Sequence, residues 1–246
     1  VYRLHLSTGL FHTGLIHSTS NRIRHLTRHL IHRASFTHPW VHSWLSTHLI
    51  VHAGLTHLTN IDITINIRPV LPIAARMPQL FKRANPLAIP YLEHDCRRVA
   101  EQLGVDFRIW PHPDPIVQNM ETLEIAEEQP YIYLLTRRLQ HACANGAGWD
   151  YTLKLATLIW DGNTDDWHQG DHLQRVAEAA GLSHEEMEAV IVDNAAAYDA
   201  ATDTNQMALS QAGHWGVPTI VYDGEPFFGQ DRIETFLWRV KTKAAG

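Results

Sequence analysis

The clearest alternation of apolar and polar residues comes at Ile61-Asp62-Ile63-Thr64-Ile65-Asn66-Ile67, the two-residue period of a half-buried strand rich in β-branched side chains. Arg68-Pro69 closes it, and a loop with Pro72, Pro78, Asn85, Pro86 and Pro90 follows. From Tyr91 to Leu103 the period becomes helical, with Leu92, Cys96, Val99, Ala100 and Leu103 on one stripe and Gly104 at the C′ position. Trp110-Pro111-His112-Pro113-Asp114-Pro115 reads as an extended connection, because each proline restricts itself and the residue before it. A long helical pattern between Glu121 and Gly146 is broken or kinked by Pro130. Shorter helices are predicted at Tyr151–Trp160 and at His172–Ala180, the latter stopped by Gly181. Ser183-His184-Glu185-Glu186 is a capping box that opens another, and Asn194–Ala212 supplies one or two more. Residues 87–212 are therefore expected to be almost wholly helical.

The period then switches back. Thr219-Ile220-Val221-Tyr222 is a strand, Asp223-Gly224 a hairpin turn, and Glu225-Pro226-Phe227-Phe228-Gly229 the returning strand. Its proline points to an edge or first-residue position. Arg232–Lys241 forms an amphipathic helix with Ile233, Phe236, Leu237 and Val240 on its apolar side.

Composition changes this picture at one end only. Residues 1–60 contain five Arg, no Lys, no Asp and no Glu, and 11 of the chain's 18 His. Against a net charge of −6, that segment is +5 and the remainder −11. The five arginines are too dispersed for a nucleic-acid tail. Across the whole chain, 45% apolar and 19% charged residues are ordinary for a soluble protein. No apolar run approaches a membrane span and no signal-peptide core is visible at the start, so a cytoplasmic location is expected. Cys96 and Cys143 stand far apart with no C-x-x-C, which excludes a dithiol redox centre of the usual form; both are expected as small apolar residues on helices.

Several motifs have plain structural readings. Trp160-Asp161-Gly162-Asn163-Thr164-Asp165-Asp166-Trp167 resembles the acidic start of a calcium loop without its bidentate Glu, and is read as an inter-helix loop. Glu121, Glu124, Glu127 and Glu128 make a solvated face. Trp110, Trp160, Trp167 and Trp215 could line a pocket for an aromatic substrate, although aromatics on amphipathic helices are more often core.

The sequence G-H-W-G-V-P-T-I-V-Y-D-G-E-P-F-F-G-Q-D-R-I near the end, and Tyr91, Asp95, Arg98, Ala100, Leu103 and Gly104 in the first clear helix, carry a family resemblance. The chain resembles the DsbA-like thioredoxin superfamily, in its branch of 2-hydroxychromene-2-carboxylate isomerases and kappa-class glutathione transferases. That resemblance implies an α/β, thioredoxin-like fold with a large all-helical insertion between the βαβ and ββα halves. Residues 61–86 and 213–246 would form the thioredoxin-like domain, 87–212 the insertion, and 1–60 a degenerate or non-native first βα unit.

It also implies a glutathione-dependent isomerase or transferase, acting on an aromatic or conjugated small molecule and dimeric like its kappa-class relatives. The bond before Pro218 would be cis, with the Val217 N–H and C=O offered to the cysteinyl part of glutathione. Gln230 and Asp231 would hold the γ-glutamyl end, and Asn85 would contact the tripeptide from its loop. The bland alternatives are a trans turn at Pro218, an N-cap at Asp231, and a turn-forming Asn85 before Pro86. The other functional readings are a thioredoxin-fold binding protein without catalysis, and a disulfide oxidoreductase relative that lost its C-x-x-C.

The thiolate-stabilising hydroxyl belongs after the family's first strand. The best local match, Ser35-Phe36-Thr37-His38-Pro39, makes Thr37 and His38 the catalytic candidates. Three readings of residues 1–60 stand side by side. They are a divergent βα unit, a metal site built on pairs such as His25/His29 and His38/His42, or a segment that is not native, such as a frameshift product. The abrupt change at residue 60 favours the third.

Overall fold

The computed structural model describes residues 65–79, 85, 87–119, 122 and 124–244. The expected strand at residues 61–67 falls largely outside this set, and its described part, 65–67, carries no ladder. Helix α1, Ile73–Arg76, buries Ile73 and Ala74. Helix α2, Ala88–Leu103, runs one turn longer at its start than its periodicity predicts and ends where expected. Gly104 adopts φ 65°, and its N–H reaches the carbonyls of Ala100 and Glu101, a left-handed cap that glycine adopts at little cost. Leu92, Cys96 and Ile109 form a small core under this helix.

The helical block comprises α3, Ile132–Ala144, α4, Gly148–Trp160, α5, His172–Ala179, α6, His184–Asp193, and α7, Ala195–Gln211. Its core interleaves Leu135 and Leu139 of α3 with Tyr151, Leu155 and Ile159 of α4, Val176 and Ala177 of α5, and Met187 and Ile191 of α6. Each large side chain so buried contributes about 1.5–3 kcal/mol. Ser183 caps α6 as its motif predicts, its hydroxyl accepting the Glu186 N–H.

Helix α7 is held differently, since Thr202 is its only buried residue. Its contacts are polar: Asp199 takes a two-pronged bond from Arg137 (2.8 and 2.6 Å). Gln140 donates to Thr202 at 2.9 Å, and His141 Nδ1 lies 3.1 Å from the Tyr198 hydroxyl. Further along the helix Asn205 donates to the Pro69 carbonyl and Gln206 accepts the Leu71 N–H.

The region between α2 and α3 corrects the sequence reading. None of the described residues between 105 and 131 is helical, and Glu121 lies outside them; Gln118 and Ile125 instead form an isolated antiparallel bridge. The Gln129 side chain holds this turn, donating to the Val117 and Ala126 carbonyls and accepting the Val117 N–H. Helix α3 therefore begins only after Pro130, and the exposed Glu124, Glu127 and Glu128 flank a loop instead of a helix face.

Trp160 and Trp167 are 4% and 0% exposed, so both are core and not pocket wall. The acidic stretch between them is indeed an inter-helix loop, clamped by the Arg108 guanidinium on Asp165 (2.7 Å) and on the Thr164 carbonyl (2.9 Å). Cys96 is buried and Cys143 half-buried, both on helices and unpaired. Among the described residues no cluster of three metal-ligating side chains occurs, and no helix is long and apolar enough to cross a membrane. The histidine-rich segment lies outside the described residues.

The chain closes with a two-stranded antiparallel sheet, β1 Thr219–Tyr222 and β2 Glu225–Phe228, paired from Thr219 with Phe228 to Tyr222 with Glu225. Pro226 is the second residue of β2, opposite Val221, on a strand that among the described residues is an edge, where proline is tolerated. A short 3₁₀ turn, Gln230–Arg232, leads into α8, Ile233–Ala244. Phe227, Phe236 and Val240 make a core separate from that of the helical block, with Ile220, Tyr222 and Leu237 packed around it. Arg239 pairs with Glu225 at 2.7 Å and Lys243 with Asp223, so both ends of the hairpin turn are tied to α8.

Candidate functional site

Helix α7 ends at Gln211, and Gly213 turns the chain with φ 94°. The next five residues form a loop that folds on its own side chains. The His214 N–H reaches back to the Leu209 carbonyl. The Gly216 N–H donates to His214 Nδ1 at 2.9 Å, and the Thr219 hydroxyl donates to the Gly216 carbonyl at 2.7 Å. The His214 ring stacks on Phe228 of β2 (centroids 4.2 Å apart, planes 20°) and on Trp215 (5.6 Å, 14°). Gly216 is squeezed beneath these rings: a Cβ there would lie 2.5 Å from Phe228 Cε2 and 3.0 Å from His214 Cε1.

This loop delivers Val217 and Pro218, and the peptide bond between them is cis, as the resemblance implies. The Pro218 carbonyl accepts the Gly229 N–H at 3.0 Å, while among the described residues no group meets the N–H or C=O of Val217. A donor and an acceptor on one half-buried residue, beside a strand end, form a short edge that an extended peptide-like ligand can pair with.

The Gly229 bond also brings the second half of the site alongside. Gly229 has φ 92°, and a Cβ there would sit 2.6 Å from Asp231 Oδ1, so the carboxylate folds back over this turn. Asp231 lies inside the 3₁₀ turn, and its side chain is only 11% exposed. Burial raises its pKa above the ordinary carboxylate value, opposed by Arg232, whose guanidinium stands 3.4 Å away. Gln230 opens the same turn. One backbone hydrogen bond, from Gly229 to Pro218, thus links the loop that carries Val217 to the turn that carries Gln230 and Asp231.

The remaining candidates are not joined to this group. Asn85 accepts the Leu87 N–H at 2.9 Å, the local turn that its alternative reading describes. Thr37 and His38 lie outside the described residues. Sequence reasoning overlooked His214, Gly216 and Phe228. The signal was present in Gly213-His214-Trp215-Gly216, two glycines enclosing two aromatic rings directly before the proline.

The arrangement has the groups of a binding site. It offers backbone pairing, a partly desolvated carboxylate suited to an ammonium group, and an exposed indole at Trp215 (46%).

Comparison with known proteins bears on the fold. A family model described as a DSBA-like thioredoxin domain matches residues 50–241. The chain is similar to a solved 2-hydroxychromene-2-carboxylate isomerase at 17% identity and TM-score 0.56, covering 82% of this chain and 92% of that one. It is also similar to a probable DsbA oxidoreductase from Streptomyces coelicolor at 18% identity and TM-score 0.53, covering 83% and 85%. At such identities the likeness is one of fold. No curated protein sequence matches the chain.

Proposed function

Starting from its membership of the DSBA-like thioredoxin family, we propose that this protein is a glutathione-dependent enzyme of the 2-hydroxychromene-2-carboxylate isomerase type, acting on an aromatic or conjugated small molecule. The observation that carries this reading is the N–H and C=O of Val217, unpartnered among the described residues, on a loop bonded through Pro218 to Gly229, two residues before the shielded Asp231 carboxylate. These groups suit the two ends of the γ-glutamyl-cysteinyl unit. Val217 pairs with the cysteinyl backbone as a neighbouring strand would, fixing where the sulfur lies. Asp231 accepts hydrogen bonds from the γ-glutamyl ammonium, strengthened because the carboxylate is shielded from water. When bound, glutathione supplies a thiolate that can add to a conjugated carbon and leave again.

Calorimetry with reduced glutathione, followed by an assay on a 2-hydroxychromene-2-carboxylate, tests the proposal. Asp231→Asn is expected to weaken binding about tenfold or more, since a hydrogen bond to a charged group contributes about 1.5–3 kcal/mol. An unmodified protein with no heat of binding at millimolar glutathione sinks the reading. Binding without turnover favours a second one, a thioredoxin-fold binding protein without catalysis.

A further inference from the structure

We infer that His214 is the positioning residue of this site: its neutral imidazole clasps the Gly216 N–H and thereby holds the Val217 edge in its binding geometry. The inference rests on the proposed reading of Val217 as a thiol-ligand edge, and adds to it a residue and a proton dependence.

Three observations converge on His214. Its Nδ1 accepts from Gly216, the residue immediately before Val217. Its ring is stacked on both Phe228 and Trp215, which leaves the imidazole no free rotation. Gly216 has no side chain that could keep the rings from closing on it, and any added Cβ would strike both. The loop is therefore set by packing from the rings and by one directed bond. That bond also fixes the tautomer, since Nδ1 accepts and the ring proton must sit on Nε2.

A proton on Nδ1 removes the lone pair that receives the Gly216 N–H, so the clasp exists only while His214 is neutral. The groups set against the ring are Trp215, Phe228 and the backbone of Gly216. None is charged, and among the described residues no ionisable side chain acts on the ring. Burial keeps the imidazole pKa below its ordinary value of 6.5, so the clasp is closed at neutral pH and opens as pH falls through that lowered value.

The test is glutathione calorimetry from pH 7.5 to 5.0 on the full chain, for the unmodified protein, His214→Asn and His214→Phe. Asn can place its amide oxygen near the position of Nδ1 and does not titrate; Phe keeps the stack and removes the acceptor. The unmodified protein is expected to bind about tenfold more weakly at the acid end, equivalent to about 1.4 kcal/mol. H214N should retain binding with a flatter profile, and H214F should bind about tenfold more weakly throughout. Asp231 titrates in all three proteins, so the difference between profiles belongs to His214. Amide NMR reads the clasp itself, with the Gly216 N–H shift following the His214 titration in the unmodified protein and not in H214N. H214F binding like the unmodified protein, or a Gly216 amide indifferent to His214, overturns the assignment alone. No binding by the unmodified protein at any pH overturns the functional reading and this assignment with it, while the amide titration still reports whether the clasp forms.

Discussion

Replacing Gly216 by alanine pits two effects of opposite sign against each other. Gly216 is not among the residues with positive φ, so its backbone conformation is open to alanine. At such a position Gly→Ala ordinarily stabilises by about 0.4–1 kcal/mol, because the unfolded chain loses freedom. Here the new methyl would lie 2.5 Å from Phe228 Cε2 and 3.0 Å from both Phe228 Cζ and His214 Cε1, the closest contact roughly 1 Å inside ordinary van der Waals separation. Relief requires the Phe228 ring to pivot off His214 or the loop to shift, and overpacking of this kind costs about 1–3 kcal/mol. The clash wins, and G216A is expected to lose about 1–2 kcal/mol net. For a chain of this size that lowers Tm by about 2–4 °C per kcal/mol.

Urea denaturation of the wild type, G216A, F228L and the double variant isolates the cause. In the F228L background the ring is gone, so G216A should be neutral or slightly stabilising, giving a coupling of about 1.5 kcal/mol. The reasoning is refuted if G216A is as stable as the wild type, or costs the same in both backgrounds.

Two further outcomes follow from other parts of the chain. Burial pushes the Asp114 carboxyl up to about 6, opposed by the N–H it accepts from Ile116. With the folded pKa raised above the unfolded one, the stabilising contribution is complete below about pH 4 and is lost as pH rises towards 6, to at most ~3 kcal/mol. Asp114→Asn keeps an oxygen for Ile116 and should flatten that decline, seen as a smaller difference in urea midpoint between pH 4.5 and 7.5. Removing the Ser183 hydroxyl with Ser183→Ala should cost about 1 kcal/mol in the same assay, because the Glu186 N–H loses its acceptor at the start of α6.

The elements best legible in the sequence were those whose local signals agree with their packing. Gly104, the Ser183 box and Asp223-Gly224 each end, start or turn an element where the residue type demands it. The stretch before Pro130 misled because its spacing suits a helix, while its fold is decided by one side-chain amide, Gln129, bonding residues 12 and 3 positions away. No periodicity encodes that choice. Helix α7 forms within the expected Asn194–Ala212 as one helix, but Arg137, Gln140 and His141 hold it through polar bonds from another helix, an attachment its own pattern does not show. At the candidate site, motif resemblance brought out Val217, Pro218, Gln230 and Asp231. The clasp around Gly216 depends on the Phe228 ring folding back across twelve residues, which only the hairpin register creates.

The core of the ββα unit, Phe227, Phe236 and Val240, shares no residue with the core of the helical block. Substitutions in the two should therefore act nearly additively. Selection can then reshape the helices for a new substrate, one side chain at a time, without disturbing the turn that presents Val217. Inheritance of the edge and divergence of the block become separate problems, solved in separate parts of the same chain.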